Sequence, residues 1–231
     1  MSKNAIVTGA AGNMGTEVVR QLLQDGFKVL GTVLQGEDCG ENASNPSFYK
    51  HVADVTREED CQQLVQEASR QLGEIHLAAL LVGGFGMNAF EDTSLEDIHQ
   101  MFKLNFESAF ASAQAVYRQM KKQEKGGKII LVGAKPALEK RASAGLTAYA
   151  LSKSLIFKLA EHINAEGKAS NITASVIVPS VLDTPPNRNA MPDADFSQWV
   201  TPSDIARVVS FIASDASSTL RDPIYRVYAD S

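Results

Sequence analysis

The sequence predicts one doubly wound α/β domain over residues 1–231, with a seven-stranded, mostly parallel sheet and helices on both faces. Three observations lead there. Seven short apolar runs recur along the chain, stretches of helical periodicity separate them, and a glycine-punctuated turn follows the first run. Alternating β and α with near-continuous apolar strands implies a parallel sheet buried on both sides. Right-handed crossovers then give the strand order 3-2-1-4-5-6-7 and place any site at the strands' carboxyl ends.

The first run, 5–7, leads through Thr8 into Gly9-Ala10-Ala11-Gly12-Asn13-Met14-Gly15 and a helix carrying Val18, Val19, Leu22 and Leu23. Gly9 can adopt a tight turn, Gly12 lets the backbone approach a pyrophosphate, and Gly15 permits close helix-on-strand packing. The helix start, with Asn13 and Met14, offers unpaired N–H groups to phosphates, so the stretch reads as a Rossmann-type dinucleotide site. Strands follow at 28–33 and 48–53, then Cys61, Leu64, Val65, Ala68 and Leu72 repeat at helix spacing. After the strand at 77–82, Ser94 with Asp97 reads as a capping pair opening a helix through Ile98, Met101 and Phe102. Strands at 128–132 and 173–178 come next. Thr201-Pro202-Ser203-Asp204 then supplies an N-cap, an N1 proline and an acid at N3 ahead of Ile205, Val208, Val209 and Phe211. The last strand is 224–228. Two stretches, 34–47 and 179–200, read as long and irregular, and the second reads as a lid with Met191, Phe196 and Trp199 on it.

A net charge of −5 and a pI near 5.4 argue against nucleic acid or an anionic membrane as partner, leaving a small-molecule substrate. Cys39 and Cys61 lack CxxC spacing and histidine neighbours, so neither a disulfide nor a metal site is expected. No basic-then-apolar leader precedes the first strand, and the longest apolar run, 77–82, is too short to span a bilayer. A cytoplasmic protein is expected.

Tyr149-Ala150-Leu151-Ser152-Lys153 sets a phenol and an ammonium at i and i+4 on one helix face. A nearby cation favours phenolate, so Tyr149 is expected to have a lowered pKa and to donate a proton to a group being reduced. A second such pair, Tyr117 with Lys121, lies late in the preceding helix, toward the opposite sheet edge, and reads as surface decoration.

These residues resemble the short-chain dehydrogenase/reductase family, over nearly the whole chain. The resemblance implies that Lys153 also bonds the cofactor ribose and that Asp54 and Val55 meet the adenine. It implies further that Asn105 holds the water linking the lysine to solvent, and that Thr184 contacts the nicotinamide or the phosphates. Three departures stand out. No hydroxyl occupies the family's serine position at Gly133-Ala134; the glycine turn reads Gly9-x-x-Gly12-x-x-Gly15 in place of the commoner Gly-x-x-x-Gly-x-Gly; and Val82-Gly83-Gly84 replaces Asn-Ala-Gly, keeping backbone contact through Gly83 and Gly84 but losing the asparagine.

Gly133-Ala134-Lys135 with Ala137-Leu138, and the run from Leu182 through Asn187, Pro192 and Phe196 to Trp199, resemble the dihydropteridine reductase branch of the family. A quinonoid dihydropterin accepts hydride readily, so one proton donor can suffice without the serine. The alternatives are reduction of other carbonyls or quinones, and a nucleotide-binding sensor without turnover. The region after the second strand, Gly31-Thr32-Val33-Leu34-Gln35, shows neither an acid nor an arginine, which leaves the cofactor as NAD or NADP. Glu37 and Asp38 read as a solvated loop. The family resemblance implies a homodimer or homotetramer, with Phe106, Phe110, Val116, Leu155, Ile156 and Leu159 as candidates for a bundle between subunits.

Overall fold

Seven strands form one all-parallel sheet in the order β3-β2-β1-β4-β5-β6-β7 in the computed structural model, which describes residues 3–230. The strands are β1 (Asn4–Thr8), β2 (Lys28–Val33), β3 (Phe48–Val52), β4 (Leu77–Leu80), β5 (Gly127–Val132), β6 (Ile172–Pro179) and β7 (Ile224–Val227). Helices α1 (Asn13–Gln24), α2 (Glu58–Leu72), α3 (Leu95–Phe102), α4 (Ser108–Met120), α5 (Lys135–Leu138), α6 (Thr147–Gly167), α7 (Pro185–Ala190) and α8 (Pro202–Ala213) fill the connections.

Alternation along each strand divides the core into two layers. Ala5, Val7, Leu77, Ala79 and Ile130 pack against Val18 and Leu22 of α1 and Ile205 and Val209 of α8. Ile6, Ala78, Leu80, Ile129 and Leu131 face the other way, onto Leu64 of α2, Val116 of α4 and Ile156 of α6. Full burial of Ile6, Leu22, Leu30, Leu64, Ile129 and Ile156 removes their side chains from water at roughly 1.5–3 kcal/mol each. Capping boxes fix two helix starts: Ser94 Oγ accepts from Asp97 N at 3.1 Å, and Thr201 Oγ1 accepts from Asp204 N at 3.2 Å. Among the described residues no helix is long and apolar enough to cross a membrane.

Several expectations need correction. The stretch 179–200 is irregular only in part: two prolines at the start of α7 set its first turn, and Asp195 accepts from Ser197 N at 3.0 Å to cap a further 3₁₀ turn, Phe196–Gln198. In 34–47, Asn42 Nδ2 bonds Thr16 O at 3.0 Å and ties the 3₁₀ turn Gly40–Ser44 to α1. Phe211 lies on the outer side of α8 and is exposed. Tyr117 is not surface decoration, because its ring packs against the core beside α4. Of the six residues offered for a subunit bundle, Val116, Ile156 and Leu159 are consumed by this chain's own core, while Phe110 is exposed.

Candidate active site

The strand order reverses between β1 and β4, and the crevice at their carboxyl ends is built from glycines and two buried threonines. Thr8 Oγ1 accepts from Leu81 N at 2.9 Å, and Thr32 Oγ1 accepts from Gly9 N at 3.1 Å, so β4, β1 and β2 end at a common level. Gly9 turns the chain with φ of +68°, a conformation that L side chains rarely adopt. A Cβ on Gly15 would sit 2.0 Å from Gly9 O, so only glycine lets α1 start this close to the turn. Gly12 occupies the N-cap of α1 without a side-chain cap, and the amides of Asn13, Met14 and Gly15 donate to no partner among the described residues. This open helix start fits a pyrophosphate.

Across the crevice, α6 delivers Tyr149 and Lys153. Lys153 is buried, its Nζ donating to Val132 O at 2.9 Å, and burial pulls its pKa down to about 8. Tyr149 departs from expectation in the opposite sense, since burial of the phenol pushes it up to about 12. The sequence exposes the i,i+4 spacing but not the desolvation, which dominates here. The phenol ring meets Phe85 edge-on, with centroids 5.0 Å apart, and its hydroxyl has no protein hydrogen bond among the described residues. That proton is therefore free to serve a ligand.

Asn105 joins this group through a π-helical segment, Lys103–Glu107, between α3 and α4. Its fully buried amide accepts from Gly84 N at 2.9 Å through Oδ1 and donates from Nδ2 to Ser152 Oγ at 3.1 Å. Ser152 Oγ in turn donates to Tyr149 O at 2.8 Å. Gly83 is the gap between these groups: a Cβ there would lie 2.7 Å from Asn105 Oδ1 and 3.1 Å from Lys153 Nζ.

The remaining sequence candidates divide. Asp54 Oδ1 accepts from Thr56 N at 3.0 Å and Thr56 Oγ1 at 2.8 Å, which holds the carboxyl below its usual range. The Val55 side chain is buried in the core, leaving only backbone for a ligand. Thr184 is buried at the N-cap of α7, and its hydroxyl caps no amide there. Ala134, at the head of α5, is buried and presents only a methyl. Asp183 grips Arg188 at 2.5 and 2.8 Å, and the guanidinium lies 4.7 Å over Phe196, whose ring contacts Trp199. Trp199 is itself buried.

The family model for short chain dehydrogenases matches residues 3–195. The chain belongs to the short-chain dehydrogenase/reductase family. It is accordingly an NAD(P)-dependent oxidoreductase of that family. Dihydropteridine reductase of Dictyostelium discoideum is 29% identical over 209 residues, covering 89% of this chain and 85% of its own. Acetoacetyl-CoA reductase of an Acinetobacter strain is 26% identical, covering 92% and 91%. Among solved structures, gox2181 is 26% identical with a TM-score of 0.91, covering 99% of this chain and 95% of its own. A blue fluorescent protein from a metagenomic library, in complex with NADPH, is 25% identical with a TM-score of 0.84, covering 99% and 97%.

Sequence reasoning missed Ser152, Phe85 and Thr32. Ser152 lies inside the Tyr149-x-x-x-Lys153 frame, and its one signal is a hydroxyl on a helix face otherwise bound for burial. Phe85 follows Gly83-Gly84 at the end of β4, where an exposed aromatic beside a site is the signal.

Proposed function

We propose that the protein reduces a small, conjugated, electron-poor acceptor, with a quinonoid dihydropterin as the leading candidate. The carrying observation is the single proton donor. Ala134 replaces a second hydroxyl with a buried methyl, while the Tyr149 hydroxyl is uncommitted. A plain ketone gains much of its polarisation in the transition state from two donors; an electron-poor ring needs less. The likeness to the Dictyostelium dihydropteridine reductase supports the same choice.

The bound dinucleotide supplies the hydride. Gly9, Gly12 and the open amides of α1 hold its phosphates. Tyr149 keeps its proton until an acceptor atom takes it, and Lys153, a few ångströms along the same face, places positive charge where the phenolate would form. Asn105 and Ser152 fix the start of α6 against Gly84, which sets where the phenol points. Phe85 lays an apolar ring beside the phenol and excludes water from that side.

The test mixes purified protein and NADH or NADPH with a quinonoid dihydropterin, a quinone or a simple ketone, following loss of reduced nicotinamide absorbance. The dihydropterin should exceed the ketone in kcat/KM by at least about 100-fold, the range that separates a site with one donor from one with two. Ala134→Ser should raise the ketone rate more than the dihydropterin rate. Equal or better turnover of the ketone by the unmodified protein would overturn the proposal.

A further inference from the structure

We propose that Arg188 is a positioning residue that sets the strap 183–199 in its working shape before a ligand binds. The inference rests on the acceptor lying in the crevice described above. The strap springs from the carboxyl end of β6, which pairs with β5, and the end of β5 carries Ala134 and the Val132 carbonyl that binds Lys153. It therefore borders the crevice where such a sheet places its ligands. Its two ends are joined: Val200 N donates to Val181 O at 3.0 Å and Asp183 N to Val200 O at 2.8 Å. Asn187 Nδ2 ties α7 down to Leu182 O at 2.8 Å.

Arg188 spans the middle. Its planar fork donates to both oxygens of Asp183, at 2.5 and 2.8 Å, and its guanidinium lies 4.7 Å over the ring of Phe196, which packs 4.8 Å from Trp199. The Asp183 side chain is only 17% exposed, so this pair is screened less than an ordinary surface pair. One side chain thus links α7 to the Phe196–Gln198 turn. What it positions is α7, with Thr184 at its head and the exposed Met191 just past its end. All of these bonds lie within the chain, so the strap takes its shape from its own residues. A strap that is closed only part of the time raises the acceptor KM by the inverse of the closed fraction, while kcat at saturation is kept because bound acceptor holds the strap shut.

Trp199 is the sequence's only tryptophan, so its fluorescence reports on the strap alone. Acrylamide quenching of that fluorescence is compared in the unmodified protein, Arg188→Met, Arg188→Lys and Arg70→Met, the last removing a surface pair with Glu67 on α2. In the unmodified protein quenching should be weak, as for a buried indole, and should change by less than about twofold when NAD or NADP is added. Arg188→Met should raise quenching at least about threefold and the acceptor KM at least about tenfold, with kcat within about threefold. Arg188→Lys keeps the charge without the fork and should fall between, while Arg70→Met leaves both readouts unchanged. A several-fold drop in quenching of the unmodified protein on adding either dinucleotide would mean a strap that orders on binding, and would overturn the inference. So would an Arg188→Met protein with normal quenching and KM, or a loss confined to kcat. The quenching readout does not depend on which acceptor is turned over, so a wrong choice of acceptor would show as a different preference in the substrate panel and leave this result standing.

Discussion

Gly15→Ala is the sharpest test of how the turn and α1 fit together. A Cβ there would lie 2.0 Å from Gly9 O, 2.8 Å from Gly9 C and 3.0 Å from Ala10 Cα, all backbone atoms with no rotamer to change. Reaching an ordinary contact of about 3.5 Å requires the helix start and the turn to part by roughly 1.5 Å. That movement would break the 3.0 Å bond from Gly12 N to Gly9 O. Overpacking costs about 1–3 kcal/mol and the lost hydrogen bond about 1, while alanine returns about 1 through helix propensity. A net loss of about 2 kcal/mol lowers Tm by roughly 4–8 °C in a chain of this size. Gly12→Ala is the companion: its Cβ meets the same oxygen at 3.3 Å, and φ of −73° suits any residue. Its melting point should fall by no more than about 4 °C, while NADH affinity drops by at least about tenfold because the Cβ points where the pyrophosphate approaches. Thermal melts and nicotinamide fluorescence titrations measure both. A Gly15→Ala protein that melts and binds like the unmodified one would refute this account of the turn.

Tyr149→Phe should lower kcat by about 10²–10⁴ in the dihydropterin assay, whereas Tyr117→Phe should leave it unchanged, as the two tyrosines face opposite ends of the sheet. Because Lys153 titrates near 8 and Tyr149 near 12, kcat/KM should fall as pH rises through about 8 as the ammonium is lost, and Lys153→Arg should move that limb upward. His76 Nδ1 accepts from Asn4 N at 3.0 Å, and burial holds its pKa below the usual value of 6.5. The unfolded chain therefore binds this proton first, so the contribution of His76 is complete above pH 6.5 and is lost as pH falls toward its folded value. Melts between pH 7.5 and 5 should show a shallower decline for His76→Gln; parallel curves would rule this contribution out.

The sheet was legible because each strand is an apolar run and each crossover a helix, so pairing order followed from handedness alone. Ser94 and Thr201 were legible because a capping box is local chemistry written within four residues. Tyr149 and Lys153 were legible as a spacing, but their protonation was not, since i,i+4 distance says nothing of how deeply both groups are buried. The turn beyond β2 was hidden for a related reason: the Glu37 carboxylate accepts from Leu34 N across a turn in which Gly36 takes a positive φ. Three of the subunit candidates, Val116, Ile156 and Leu159, lie in this chain's own core because apolar faces are ambiguous in sequence. Periodicity shows that Ile156 and Leu159 share a helix side, without distinguishing this chain's own sheet from a neighbour's.

The π-helical segment at Asn105 makes this part of the chain sensitive to length. Each residue added to or removed from a helix rotates everything beyond it by about 100°. Asn105 must point inward between two fixed phases: the start of α3, locked by the Ser94 capping box, and the face of α4 that carries Ala109, Ala113 and Val116 into the core. The wider turn at Lys103–Glu107 absorbs one residue and brings both phases into register with the amide. A one-residue deletion between 96 and 104 would swing Asn105 off Gly84 and Ser152 together, even with every other side chain retained. Exposed positions along α3 are thus free to vary in kind, while their number is set by the geometry of a site more than a full turn away.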